Sequence, residues 1–245
     1  MKGAECMDAQ ITGFDGVVIG RPNTLAVAIA KKVVRGPVRK RSNPFVIEGE
    51  CGFGKTTILN AIATGAAALK DGRKVIYSTG DQFVTDYCEA LRQEKMDAFR
   101  KRYETVDVLL LDQLEALKNS ITLCDVLLHI LDTRMGKKRQ TVVATSVRLE
   151  VLQHKERAAE LVGRLMSGVV VRLGRPDKRM RTASIRRELR ESNVELPDNV
   201  IEAIANVSRK NMWCVGGPLH RVMFALEEMG QSALRQKNLE KLLEK

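Results

Sequence analysis

The octapeptide Gly49-Glu50-Cys51-Gly52-Phe53-Gly54-Lys55-Thr56 carries three glycines and ends in a cation and a hydroxyl, the pattern G-x-x-x-x-G-K-[ST]. Glycines at these positions let the backbone curl around an anion. Main-chain amides of Gly49, Cys51, Gly52, Phe53 and Gly54, continued by Thr56 and Thr57 at a helix start, would donate to phosphate oxygens. Lys55 would neutralise charge on the outer phosphates, and the Thr56 hydroxyl would ligate Mg2+.

Such a loop needs an acid at the tip of a neighbouring strand to support the metal. The run VDVLLLDQ (106–113) supplies Asp112, and the next residue, where an acid would handle an attacking water, is Gln113. An amide can hold a water but cannot take its proton. Glu115, two residues further on, is the substitute base, and Asp112 can also be read as an ordinary helix cap.

Strands must carry these groups to one edge. Short β-branched or Leu-rich runs predict strands at 45–48, 74–78, 106–111, 141–145 and 168–173, alternating with helical periods at 55–69, 81–93, 95–103, 121–135 and 156–166. The alternation predicts an α/β fold with a five-stranded, mainly parallel sheet flanked by helices on both faces. A helix at 22–34 precedes the first strand. After position 173 only helical segments follow, at 175–191, 198–207 and 217–229, with Pro176, Pro197 and Pro218 near their starts. The expected organisation is a tail at 1–13, a nucleotide-binding α/β domain at 14–174 with a helical insertion at 81–104, and a small α-helical lid domain at 175–245.

Of the 245 residues 44% are hydrophobic and 29% charged, which excludes a disordered chain. Lys plus Arg exceed Asp plus Glu by 41 to 30, giving a formal net charge of +11 that favours polyanionic partners. The five cysteines are scattered without a C-x-x-C pair or a Cys/His cluster, so neither a disulfide framework nor a zinc site is expected. There is no signal-peptide pattern and no apolar run near the ~20 residues a bilayer needs. A cytoplasmic protein with no membrane span is the expectation.

With these motifs placed, the sequence from about Phe14 onward resembles the AAA+ domain of the bacterial replication initiator DnaA. FDGVVIGRPNTLAVAIAKKV is similar to the segment that packs around adenine in that family, which implicates Val18 and Ile19. NPFVIEGECGFGKTTILNAI resembles its phosphate loop, and DQFVTDYCEALRQEKMDAFRKRYETVDVLLLD its helical insertion leading into the metal-binding strand. LVGRLMSGVVVRL is similar to the stretch carrying an arginine finger, so Arg164 would reach the γ-phosphate of a neighbouring subunit. Read without the family, Arg164 is a helix-end cation paired with a nearby acid. The resemblance implies a P-loop AAA+ fold that binds ATP or ADP with Mg2+. It also implies head-to-tail assembly with itself or a DnaA homologue, and single-stranded DNA as a partner of the assembled form.

Three positions depart from the family. Gln113 replaces an acid, Val147 in TSVR replaces a polar sensor, and Trp213 in NMWCVGGPLHRVMFAL stands where a phosphate-sensing arginine is expected. Arg209, Lys210 and Arg221 are possible replacements. Nucleotide binding is therefore better supported than hydrolysis. The chain stops at SALRQKNLEKLLEK without the family's helix-turn-helix domain, so sequence-specific duplex recognition is not expected. In this it is similar to Hda, a short DnaA relative, although QITGF (10–14) is a poor clamp-binding peptide.

Between Arg172 and Arg190 lie eight Lys or Arg and two acids, and Arg39 to Arg41 and Lys137 to Arg139 form smaller clusters. Facing one channel, these would grip phosphates without base selection; alternatively Lys178, Arg179 and Arg181 are a solvated helix face. In the insertion, Arg92, Lys95, Arg100, Lys101 and Arg102 are candidates by family position. The leading reading is a nucleotide-switched assembly protein in replication initiation or its control. The alternatives are an Hda-like regulator stimulating hydrolysis by DnaA, and a stand-alone DNA-stimulated ATPase or helicase loader.

Overall fold

The computed structural model describes residues 13–69, 71–152, 156–208 and 211–243. Arg209 and Lys210, and all of QITGF before Gly13, lie outside them. The chain divides into two compact units, one holding 25–49 and 55–172 and the other holding 18–24, 50–54 and the chain from 173 onward.

In the first unit, α1 (Thr24–Arg35) precedes β1 (Phe45–Glu48), and α2 (Lys55–Ala68) leads to β2 (Val75–Thr79). Next come α3 (Gly80–Arg92), α4 (Met96–Thr105), β3 (Val108–Asp112), α5 (Ile121–Gly136), β4 (Gln140–Thr145), α6 (Glu156–Met166) and β5 (Val169–Arg172). All strand pairs are parallel, in the order β2-β3-β4-β1-β5. Every residue of β1, β3 and β4 is buried, as expected for strands covered on both faces. Val46, Leu109, Leu111 and Val143 join a core with residues of α3 to α6. Alternation along the strands turns Ile47, Leu110 and Val142 to the opposite face, and α2 packs against β2, β3 and β4. The five-stranded parallel sheet expected from the sequence is the one present.

The second unit contains α7 (Lys178–Glu191), α8 (Asp198–Val207), α9 (Trp213–Met229) and α10 (Gln236–Leu243). Ile185, Leu189, Val200, Ile204, Leu219 and Val222 are among the residues forming its own core. Most element boundaries differ from the sequence expectation by a few residues, and two of the helix starts have a side-chain cap as the local reason. Helix α7 opens three residues late because the Asp177 side chain accepts from the Met180 amide at 2.8 Å and caps it. Helix α9 opens four residues early, at Trp213, and runs through Pro218. Helix α3 opens at Gly80 because the Thr79 hydroxyl accepts from the Gln82 amide at 3.1 Å.

Candidate functional site

The phosphate loop begins where β1 ends. The Gly49 amide donates to the Thr145 carbonyl at the end of β4 at 3.2 Å, so the loop is rooted between two buried strands. Beneath it Glu48, 3% exposed, accepts from the Leu149 amide at 2.8 Å and pairs with Arg172 of β5 at 2.9 Å. Lys55, the first residue of α2, is 8% exposed, and its Nζ donates to the Gly49 carbonyl at 2.6 Å. The ammonium is thus folded onto the mouth of the loop with a neutral acceptor it can exchange for an anion.

Asp112 is the last residue of β3 and not a helix cap, and its side chain is 1% exposed. Its Oδ2 accepts from the Thr56 hydroxyl at 2.6 Å and from the Tyr77 phenol at 3.0 Å, while Oδ1 accepts from the Gln113 amide at 2.8 Å. A short hydroxyl-to-carboxylate bond of this kind is charge-assisted. It sets the two residues expected to serve Mg2+ side by side across 56 positions of sequence. Among the described residues no group of three or more His, Cys, Asp or Glu could hold a metal. A cation here would take its remaining oxygens from a phosphate ligand and water, which is how Mg2+ is usually held.

Tyr77 was not legible as a site residue. Strand register pairs Thr79 with Asp112 and Tyr77 with Leu110, which brings the phenol within reach, and nothing short of strand order signals that. Burial, then the charge and hydrogen bond of Asp112, push the Tyr77 pKa well above its usual range. It stays a neutral donor to Asp112.

Gln113 is exposed and sits in left-handed backbone at φ 57°. Gly80 makes room for it: a Cβ on Gly80 would lie 2.4 Å from the Gln113 carbonyl oxygen and 2.8 Å from Ala116 Cβ. Gly80→Ala should cost about 2 kcal/mol by overpacking, read as a lower urea midpoint at unchanged m-value. An unchanged midpoint would mean that the Gln113 segment yields freely.

Glu115, the substitute base for Gln113, is committed elsewhere. It accepts from the Ser146 amide at 3.1 Å and from the Ser146 hydroxyl in a very short bond. Burial raises its pKa, but the hydrogen bonds from Ser146 and neighbouring groups outweigh that and hold the carboxyl below the usual glutamate range. Val147 packs against the sheet core, and its backbone bonds to the Thr145 hydroxyl. Arg164 of α6 is half-exposed and its Nε lies 2.5 Å from Asp132 Oδ1 of α5. In this chain by itself, Arg164 is a helix-end cation with an acid partner.

Within the second unit, the loop glycine Gly52 has φ 77°, and its carbonyl accepts from the Met212 amide at 3.0 Å. Gly54 has φ 94° with nothing within 4 Å of where a Cβ would stand, so the loop needs glycine there for its backbone path alone. Cys51 is exposed, and Phe53 is buried with its amide on the Glu50 carbonyl at 3.2 Å. Trp213 is 71% exposed at the start of α9. The 18–23 turn is fixed by Asn23, which donates to the Val18 carbonyl at 2.9 Å and accepts from the Gly20 amide at 2.9 Å, leaving Ile19 exposed.

The basic stripe of α7 is largely spent internally. Arg181 is 8% exposed and donates to the Ala205 and Pro176 carbonyls, so it is a structural clamp and not a surface cation. Lys178 pairs with Glu202 and Arg186 with Asp198, both acids of α8, and Arg187 pairs with Glu191. In the insertion, Arg102 pairs with the buried Asp86 at 2.8 Å, while Arg92, Lys95, Arg100 and Lys101 are exposed.

The family model described as the bacterial DnaA ATPase domain matches residues 9–172. The chromosomal replication initiator protein DnaA of Leifsonia xyli subsp. xyli (strain CTCB07) is 29% identical over 209 residues, which is 85% of this chain and 44% of the relative. The chain thus spans less than half the length of that curated relative. The crystal structure of domain III of the Thermotoga maritima replication initiation protein DnaA is similar with a TM-score of 0.84 and 27% identity, over 94% of each chain. A structure of the replication initiator DnaA bound to AMPPCP and single-stranded DNA is similar with a TM-score of 0.79 and 27% identity, over 96% of this chain and 70% of that one. No helix among the described residues is long and apolar enough to cross a membrane.

Proposed function

The chain belongs to the bacterial DnaA ATPase-domain family, with the AAA+ fold of that family, and from that premise we propose that it is a nucleotide-switched assembly protein in DNA replication initiation or its control. The observation that carries the reading is the Thr56 hydroxyl on the Asp112 carboxylate, beside a lysine turned onto Gly49. ATP or ADP would be held by the amides of Gly49, Cys51, Gly52, Phe53 and Gly54 and of Thr56 and Thr57, with Lys55 on its charge. Val18 and Ile19 would flank the base, and Thr56 and Asp112 would serve Mg2+. The likeness to a DnaA bound to AMPPCP and single-stranded DNA supports both ligand classes for this chain.

In the bound state the metal-nucleotide supplies a γ-phosphoryl group that distinguishes ATP from ADP. Gln113 would position a water without accepting its proton, and Glu115 is held by Ser146, so turnover by this chain alone should be slow. Arg164 would leave Asp132 for the γ-phosphate of a neighbouring copy or a DnaA homologue in a head-to-tail stack. That exchange makes ATP the link between protomers. Light scattering should show a higher mass with ATP than with ADP, and Arg164→Ala should return the ATP form to the ADP mass. Equal mass in both nucleotides would overturn self-assembly. A monomer that nonetheless accelerates hydrolysis by DnaA, and loses this with Arg164→Ala, would instead identify the regulator. That second reading is favoured by the loss of polar character at Val147 and Trp213 while Arg164 stays half-exposed.

A further inference from the structure

The two small basic clusters, 39–41 and 137–139, are nearly a hundred residues apart in sequence, and the fold joins them. They precede β1 and β4, neighbouring parallel strands, so both lie at the N-terminal edge of the sheet. The buried Asn43 side chain ties them: its Nδ2 donates to the Arg139 carbonyl at 2.8 Å and its Oδ1 accepts from the Thr141 amide at 2.8 Å. Gln140 Nε2 adds a bond to the Ser42 carbonyl at 2.9 Å. Arg139 itself donates to the Glu104 carbonyl at 2.5 Å. The platform is therefore held rigid from below.

Apart from Arg139 its cations are uncommitted, whereas Lys178, Arg181, Arg186 and Arg187 of α7 are all engaged. Arg39, Lys40, Arg41, Lys137 and Lys138 are exposed, and none has an ion pair or side-chain hydrogen bond among the described residues. Lys138 has φ 52°, a left-handed conformation that glycine or asparagine adopts more readily, yet a lysine occupies it. The acid at the foot of the adjacent β3, Asp107, has its Oδ2 taken by the Lys74 amide at 2.8 Å. Phosphate-loop residues Gly49 and Lys55 lie beyond the opposite end of β1, whose four residues span about 13 Å.

We propose that this edge of the sheet is a second polyanion site, which grips the phosphate backbone of a nucleic acid without reading bases. No aromatic residue lies in either cluster, so base stacking is absent. Within 37–42 and 136–141 no large apolar side chain is exposed, so the clusters themselves carry none of the wedge residues a lipid surface would take up. Arginine forks beside lysine point charges suit phosphate oxygens.

The test is anisotropy of a labelled single strand and a labelled duplex of arbitrary sequence, each about 30 nucleotides long, titrated from about 50 to 200 mM salt. Anionic phospholipid vesicles are titrated in parallel. Two variants are compared with the full chain, Lys40→Gln/Arg41→Gln and Lys137→Gln/Lys138→Gln. Each should weaken binding several-fold and lower the salt slope by about 0.7–0.9 for every phosphate no longer neutralised, with the combined variant losing about tenfold or more at low salt. Single strand alone or duplex alone would each support the site and name its form. Mg-ATP affinity and melting temperature should be unchanged, so failure here is separable from failure of the nucleotide reading. Unchanged DNA affinity and slope, an effect from one cluster only, or a loss confined to the vesicles would overturn the proposal.

Discussion

Lys55→Ala should lower Mg-ATP and Mg-ADP affinity about a hundredfold, since an ammonium on phosphate oxygens is worth roughly 1.5–3 kcal/mol. The side chain is enclosed and its Nζ rests on the Gly49 carbonyl, a main-chain acceptor that a phosphate can replace. The variant should remain folded, because Ile58, Leu59 and Ile62 of α2 still fill the core. Isothermal calorimetry with magnesium present reads the affinity, and thermal melting of the same sample controls for folding. An affinity within twofold of the parent would remove the phosphate loop from the mechanism and with it the assembly switch. Asp112→Asn offers a separate check: affinity lost only when magnesium is present would place this side chain on the metal.

Arg134→Met should cost about 3–5 kcal/mol of stability, a fall of about 10 °C at 2–4 °C per kcal/mol for a chain of this size. Arg134 is fully buried on α5, where its Nη1 donates to the Tyr103 and Val106 carbonyls at 2.8 Å each. Its Nη2 donates to the Gln140 carbonyl at 2.5 Å and its Nε to the Thr141 hydroxyl at 2.9 Å. Burial, then repulsion from Arg139, pull its pKa down to about 9, yet five acceptors, the Asp107 carbonyl at 3.5 Å included, depend on it. Methionine matches the stem and leaves those oxygens unpaired in the interior. Lysine should rescue little, because a point ammonium cannot span carbonyls on three segments. Calorimetric melting checks both variants, and a shift under about 3 °C would show that water replaces the guanidinium.

Arg134 also marks where the sequence stops being informative. Nothing in ILDTRMGKK separates it from the solvated cations beside it, because its neighbours in space, 103–107 and 140–141, are set by strand order. The same limit hid Tyr77 and Glu48. Conversely, the hundred-residue gap between 39–41 and 137–139 concealed a single surface, and the apparent basic stripe of α7 concealed an ion-paired helix pair.

Local chemistry was legible. A glycine-punctuated loop before a helix, a buried strand before that loop, and an apolar run ending in Asp112 are properties of contiguous residues, as are the alternating periods that announced five strands and their helices. Backbone torsion and burial period act over a few residues, so composition in a short window is enough to specify them. Which acid meets which hydroxyl, whether Glu115 is available, and which cations remain unpaired depend on strand order and parallel register. Those arise from burying the whole core at once, and the tertiary structure alone decided them.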